Sequence, residues 1–339
     1  MRGTLTILLV NLVACSSSGG DDTGIDAGSN RGGGPVAAGP FFQKPMFFDT
    51  DVSTAPVAGN SGAILSSLRA AGGWGNGDKF QIDFSINVLG ADAATPHKAF
   101  AKGADWADPD CDVADVPIPD GGNVEGNGGY ACADGGDCHL LVMDEAAHTL
   151  YELWEASIES SGSGATFTAS CLAKWDTSIA YTNTLRGAQC TSADAAGFPM
   201  APMLFTADEV AAGSIDHAVR FILPNDRLQQ GYVAPATHGT RTSGGADAPF
   251  YGFQLRLRAD FDLASLPSDG ARVVAKALQK YGMYQADGGN IALTGRDDRG
   301  STAKWADVLD SHDLASLKVE DFEVIDNGPE IPLTLDCAR

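Results

Sequence analysis

The side chains that could do acid–base chemistry are scattered along the chain, and the residues around each one limit what it can do. Over 149–156, strand alternation puts Leu150, Glu152 and Trp154 on one face and Tyr151, Leu153 and Glu155 on the other. Glu152 therefore sits between apolar neighbours, where burial raises a carboxyl toward neutrality, as a general acid requires. The ordinary alternative is a Glu paired with Arg256 or Arg258 across a sheet. His139 and His217 each open a strand, and His238 lies in a Pro-containing loop. His217 shares its face with Val219 and Phe221, the usual setting of a hydrogen-bonded core histidine. Convergence of all three would allow a metal site or an acid–base role, whereas His97, His148 and His312 read as surface residues. The chain has no Gly-x-Ser-x-Gly elbow, His-Glu-x-x-His pair or phosphate loop.

Asp108-x-Asp110-x-Asp112-x-x-Asp115 alternates carboxylates as calcium loops do, but Val113 and Pro119 stand where an EF-hand needs Gly and Glu. The pattern implies no cofactor beyond a structural calcium at that loop. Five Trp (74, 106, 154, 175 and 305) are enough for a sugar-stacking platform beside carboxylates, although most Trp are core. Lys plus Arg total 22 against 44 Asp plus Glu, a net charge of -22. Such a surface repels phosphate backbones and anionic lipid heads, which excludes nucleic acid as an expected partner.

The elements that must position these groups are mostly strands. Phe80–Val88 and Phe253–Asp262 alternate cleanly, with Asp83 and Ser85 outward on the first and Gln254, Arg256 and Arg258 outward on the second. Thr166–Trp175 is a third alternating run. His139–Asp144 with Thr149–Ala156 reads as a hairpin, as does Met283–Ala286 with Asn290–Thr294 around Asp287-Gly288-Gly289. Thr206 and Glu209 form a capping box for a helix over 207–212, Asp269–Tyr281 is amphipathic, and 304–309 is a short third helix. These features predict a β-rich α+β domain: an antiparallel β-sandwich or partly closed barrel with two or three peripheral helices. One folded domain spans 41–339 and carries a long Gly/Asp-rich loop over 103–137, a length often tied to function.

The N-terminus reads as an address. Arg2 precedes a short apolar run, and Leu12-Val13-Ala14-Cys15 has the form of a bacterial lipobox. Residues 1–14 are then a lipoprotein signal peptide and Cys15 the acylated N-terminus. Residues 16–40 make a Gly/Ser/Asp tether too poor in apolar bulk to fold. The domain is expected to be exported and lipid-anchored to the cell envelope, at the outer membrane or cell surface. Six Cys remain (111, 132, 138, 171, 190 and 337), which suggests three disulfides. The expected pairing joins Cys171 to Cys190 and two of Cys111, Cys132 and Cys138 to each other, with the third of these clipping Cys337. A zinc site is the rival, but CxxC pairs are lacking.

Several stretches occur in an order that resembles a family of secreted proteins and lipoproteins from soil bacteria. Its motifs are of the types SDPG-YPIP-IEG, RHVLVVD-YELF, SADAAGLPILP, HALRF and KYGM-ADNG. The matching stretches here are Asp108-Pro109, Val116-Pro117-Ile118-Pro119, Val124-Glu125-Gly126, 139–144, 150–153, 192–199, 216–221 and 280–287. The resemblance covers nearly everything after the tether, implies one exported domain, and brings no settled activity. It singles out Asp108, Glu125, His139, Asp144, Glu152, Asp194, His217, Arg220 and Asp287. The chain departs from the pattern at Cys138, where the family has Arg, and at 234–238, where it has a Trp-Pro-Ala-Arg-His type of run.

Together these readings predict a surface-tethered glycan-active enzyme, a polysaccharide hydrolase or lyase. Glu125 or Glu152 would be the acid and Asp108 or Asp144 the second carboxylate, with His139 and His217 as base or positioning groups. Arg220 would hold an anionic substrate group, and Trp154, Asp194, Asp287 and His238 would line the site. The partner would be an extracellular glycan or envelope component, and membrane contact would come only through the lipid. Two rivals are a non-catalytic module that binds glycan or envelope protein through an exposed aromatic strip, and a metal-dependent hydrolase built on His139, His217 and His238.

Overall fold

The computed structural model describes residues 36–133, 136–161 and 164–339. The signal segment, Cys15 and residues 16–35 of the tether lie outside the described residues. The end of the tether is docked. Val36 bridges Leu89, and the Ala37 N–H donates to the Val88 carbonyl at 3.1 Å. Residues 36 and 37 of the expected tether thus belong to the fold.

The architecture is α+β and β-rich, with several sheets and no closed barrel among the described residues. The largest sheet runs Ile82–Ile86, Leu293–Arg296, Val219–Leu223, Met283–Gly288, Gln254–Leu257 and Phe322–Val324, in that spatial order. A second sheet orders Cys171–Asp176, Thr149–Trp154, Leu140–Asp144 and Val88–Ala91. The 140–154 hairpin forms as its alternation predicts, with Leu141 opposite Glu152. Pairing is mixed: Val219–Leu223 lies parallel to Met283–Gly288, and Ile82–Ile86 parallel to Leu293–Arg296.

Three sequence expectations change for physical reasons. The hairpin across 287–289 does not form, because Val219–Leu223 inserts between its two arms. That strand is covered on both faces, with Val219, Phe221 and Leu223 on one and Arg220 and Ile222 on the other, so it takes a central position. The runs over 80–88 and 166–175 each break in two. Asn87 sits at the corner where the chain leaves the first sheet for the second, its amide donating to the Asn123 carbonyl oxygen at 2.8 Å. Ser170 separates Gly164–Ala169, which belongs to a small third sheet, from Cys171–Asp176. Strands that change sheets at bends tie the layers of a sandwich together.

The polar faces of the strands are not solvated. On the first sheet Ile82, Leu293, Phe221, Met283, Leu255 and Phe322 face one side, under Trp74 and the helices. The other side carries Asp83, Thr294, Arg220, Tyr284, Gln254, Arg256 and Glu323. Residues 46–55 and 192–204 cover it. Phe47 meets Tyr284 edge-on at 5.1 Å, and Arg256 bonds the Val52 carbonyl and Glu323. Arg256 is therefore not the partner of Glu152.

The helices follow their sequence signals. Ala207–Ala212 starts with the Thr206/Glu209 capping box and ends on Gly213 in the left-handed region. Asp269–Lys280 is capped by the Ser268 hydroxyl and buries Val273, Val274, Ala277 and Leu278. Trp305–Val308 is a single turn. Ser61–Ala70 is a further helix that the sequence reading did not place. The long loop is only partly a solvated loop, because Val116, Ile118 and Val124 are buried against the second sheet.

The three disulfides join Cys111 to Cys171, Cys132 to Cys138 and Cys190 to Cys337. The short Cys132–Cys138 link is one the sequence reading allowed. The Cys171–Cys190 pairing and the clip from the long loop to Cys337 do not occur. Cys171 faces Cys111 at the root of the long loop, which leaves Cys190 to hold the C-terminal segment. No described helix is long and apolar enough to cross a membrane.

Candidate functional site

Two carboxyls and a histidine meet where the long loop crosses the first sheet. Gly126 N–H donates to the Ser85 carbonyl at 3.1 Å, and Glu125 N–H donates to the His139 carbonyl at 2.8 Å. The loop is thus pinned to two strands on either side of Glu125. The Asn127 amide donates to the Glu125 carbonyl at 2.6 Å and stiffens the same turn. Glu125 Oε2 then lies 2.6 Å from His139 Nδ1 and accepts the His139 backbone N–H at 3.2 Å. The Ser85 hydroxyl lies 2.9 Å from Asp83 Oδ2 and 3.2 Å from Glu125 Oε1. Those two contacts end to end cap the separation of the two carboxyl oxygens at about 6 Å. The group is reachable from solvent, with side-chain exposures of 10% for His139 and 20% for Glu125, and Asp83 and Ser85 half-buried.

The charge states differ across the group. His139 Nε2 faces the Ala193 carbonyl at 3.2 Å, and a carbonyl only accepts, so this nitrogen carries a proton. Burial disfavours the imidazolium, but the Glu125 carboxylate outweighs it. With help from Asp137 and Asp287, the His139 pKa rises to about 9. Burial likewise disfavours ionised Glu125, but the His139 charge and its hydrogen bonds win and hold the carboxyl below the usual range. Asp83 goes the other way: burial and the neighbouring Glu125 charge raise it to about 6. With both ring nitrogens engaged, His139 has no lone pair to offer. It positions and polarises Glu125, and the expectation of His139 as a base is corrected.

Segment 192–197 connects this group to the rest of the expected site. Arg220 Nε and Nη2 hold the Asp194 carboxylate at 2.9 and 2.5 Å, and Nη1 donates to Thr294 Oγ1 at 2.8 Å. Arg220 is 2% exposed with these donors engaged, so it braces the loop and has no fork free for an anionic substrate group. Asp194 is fully buried in the same pair and is not a substrate contact. Asp287 accepts the Ala195 and Gly288 N–H groups at 3.3 and 2.6 Å. Burial and the Asp194 charge raise it to about 7, and it is half-buried within electrostatic range of His139. His238 Nδ1 lies 2.9 Å from the Ala195 carbonyl, and burial lowers its pKa.

The remaining expected residues lie elsewhere. Glu152 is fully buried between the sheets. Its Oε1 accepts the Met200 and Ala201 N–H groups at 2.8 Å each, and Oε2 accepts the Trp175 indole N–H at 2.9 Å. It staples segment 192–204 to the second sheet. Burial raises it to about 7, as its apolar neighbours predict, but no water-accessible face remains for catalysis. Asp144 caps its hairpin turn through the Ala147 N–H. Asp108 is exposed on the long loop, bound to Lys102 and the Trp106 indole. His217 bonds Glu209 and the Ala218 carbonyl at the end of a helix, so it does not join His139. Trp154 is half-buried and donates to Asp137 at 2.7 Å.

These placements weaken three alternatives. The acidic loop's carboxylates diverge: Asp112 pairs with Arg186 and Arg339, Asp110 accepts the Thr191 N–H, and Asp108 binds Lys102. Arginine charge sits where the calcium reading needs a cation. The three candidate histidines have separate partners, and among the described residues no group of three or more His, Cys, Asp or Glu is arranged to hold a metal ion. None of the five Trp is exposed, so the aromatic strip expected of a non-catalytic module is missing among the described residues. The sequence reading missed Asp83 and Ser85. Their signal was a carboxylate and a hydroxyl two apart on the face assigned to solvent. No family model, curated protein or solved structure matches the chain.

Proposed function

We propose that the protein is an exported, lipid-anchored hydrolase of extracellular glycans, with Asp83 as its acid and base and Glu125 as its nucleophile. The observation that carries this reading is the pair itself. One carboxyl is raised to about 6 and the other is held ionised by His139, with their oxygens within about 6 Å. Glycosidic cleavage needs one protonated and one ionised carboxyl, and separations of about 5–5.5 Å belong to retaining enzymes. Asp83 would protonate the leaving oxygen as Glu125 attacks the anomeric carbon and the glycosidic bond breaks. Water, giving its proton to Asp83, would then attack that carbon and release Glu125 as a carboxylate. A lyase acting on uronic acids needs a cation for the substrate carboxylate, and Arg220 is already committed to Asp194 and Thr294.

Three disulfides support an oxidising compartment, and the lipobox at Cys15 supports the anchor. The test is a screen of neutral, amino and uronic polysaccharides with the full-length protein, Asp83→Asn and Glu125→Gln. We expect turnover with retained anomeric configuration and losses above about 100-fold in each variant. Undiminished turnover in both variants, or an unsaturated uronide product, refutes the assignment.

A further inference from the structure

We propose that Ser85 is a proton relay between Asp83 and Glu125: its hydroxyl accepts a proton held by Asp83 while donating its own to Glu125. The relay deepens the hydrolase reading and rests on it for its catalytic meaning. Its geometry stands independently.

A serine hydroxyl has one hydrogen and two lone pairs. Ser85 Oγ nevertheless contacts two carboxyl oxygens, at 2.9 Å on Asp83 and 3.2 Å on Glu125. If both carboxyls were ionised, the single hydroxyl hydrogen would have to be shared between them in a weaker three-centre bond. Each contact is a full hydrogen bond only when one carboxyl carries a proton.

The surroundings decide which one. Glu125 Oε2 receives the His139 imidazolium and a backbone N–H, which favours the ionised form. Among the described residues Asp83 has no ion pair, and its Oδ1 accepts the Ser85 N–H at 2.9 Å. Thr294, opposite Asp83 on the neighbouring strand, is neutral and already accepts from Arg220. Arg220 on the next strand acts at longer range and is neutralised by Asp194. Asp137 and Asp287 face His139 from the loop and from Met283–Gly288, and they strengthen the imidazolium. The resting proton therefore sits on Asp83.

In transfer, the Asp83 Oδ2 proton moves to Ser85 Oγ as the Ser85 proton moves to Glu125 Oε1. Asp83 becomes a carboxylate, Glu125 a carboxylic acid, and Ser85 remains a hydroxyl. No proton is gained or lost. The exchange is reversible, so one proton is kept within the pair and remains available to Asp83 without a proton from bulk water.

The experiment follows the side-chain carboxyl carbons of Asp83 and Glu125 by NMR in the full-length protein across pH. In the wild type at pH 5, Asp83 is expected at its protonated position and Glu125 at its ionised one; the reverse order overturns the relay. Ser85→Ala then gives a sign test. Under the relay, the lost hydroxyl had stabilised protonated Asp83 and ionised Glu125. The Asp83 midpoint should fall by about one pH unit and the Glu125 midpoint rise by a similar amount. If Ser85 merely donates to an ionised Asp83, the Asp83 midpoint rises instead. A rise, or no change, overturns the proposal. Ser85→Thr keeps the hydroxyl and should keep both midpoints. Absence of glycan turnover in the wild type would remove the hydrolase reading and leave these midpoints where they are.

Discussion

Replacing Glu152 by Gln should change how stability depends on pH more than it changes stability at any single pH. The carboxyl is fully buried, and burial raises it from 4.5 to about 7. Between those values the folded protein holds a proton there that the unfolded chain has released. Stability therefore falls as pH rises through this window and levels off above 7. A shift of that size amounts to about 3 kcal/mol. A glutamine at this position cannot titrate, so the variant lacks this loss. Its amide oxygen can still accept the Met200 and Ala201 N–H groups, but its NH2 then faces the Trp175 indole N–H, and that hydrogen bond is lost. The lost bond costs about 1–3 kcal/mol at every pH. The variant should be less stable than wild type at pH 4.5, and equal to it or more stable at pH 8. Urea unfolding at several pH values, disulfides intact, measures this directly. A difference between the two proteins that stays constant within about 0.5 kcal/mol from pH 4.5 to 8 refutes the reasoning.

Other consequences follow from the same contacts. Arg220→Met should destabilise by about 3–5 kcal/mol by stranding buried Asp194, and adding Asp194→Asn should recover much of that in thermal or urea unfolding. Removing Cys190–Cys337, which closes a separation of 147 residues, should cost about 5 kcal/mol. Removing Cys132–Cys138, with a separation of 6, should cost about 2 kcal/mol, and equal losses would refute the loop-closure argument. Because Arg186 and Arg339 occupy the Asp112 carboxylate, added calcium should leave the melting temperature within about 2 °C of its value in chelator.

Local features of the fold were legible in the sequence. The 140–154 hairpin, the Thr206/Glu209 box and the stripe over 269–280 all rest on contacts within a few residues. Glu125 and His139 were both named as candidates, and the structure brings them together. The face of Asp83, Ser85 and Arg256 was misread because alternation only separates two faces; it does not say which one meets water. Here both faces are largely covered, one by helices and the other by residues 46–55 and 192–204. The disulfide pairing and the insertion of Val219–Leu223 depend on contacts far apart in sequence, which periodicity does not report. Glu152 shows both outcomes: its burial and raised carboxyl followed from its apolar neighbours. Its task did not, because its partners Met200 and Ala201 lie 48 and 49 residues away.

The knot at Cys337 sets an order of events. A polypeptide synthesised from its amino end presents Cys190 147 residues before its mate. Segment 192–197 starts two residues beyond Cys190, and Asp112 waits for Arg339 from the same tail. Segment 192–197, whose Ala193 carbonyl meets His139 Nε2, thus gains this brace only once Cys337 has been made.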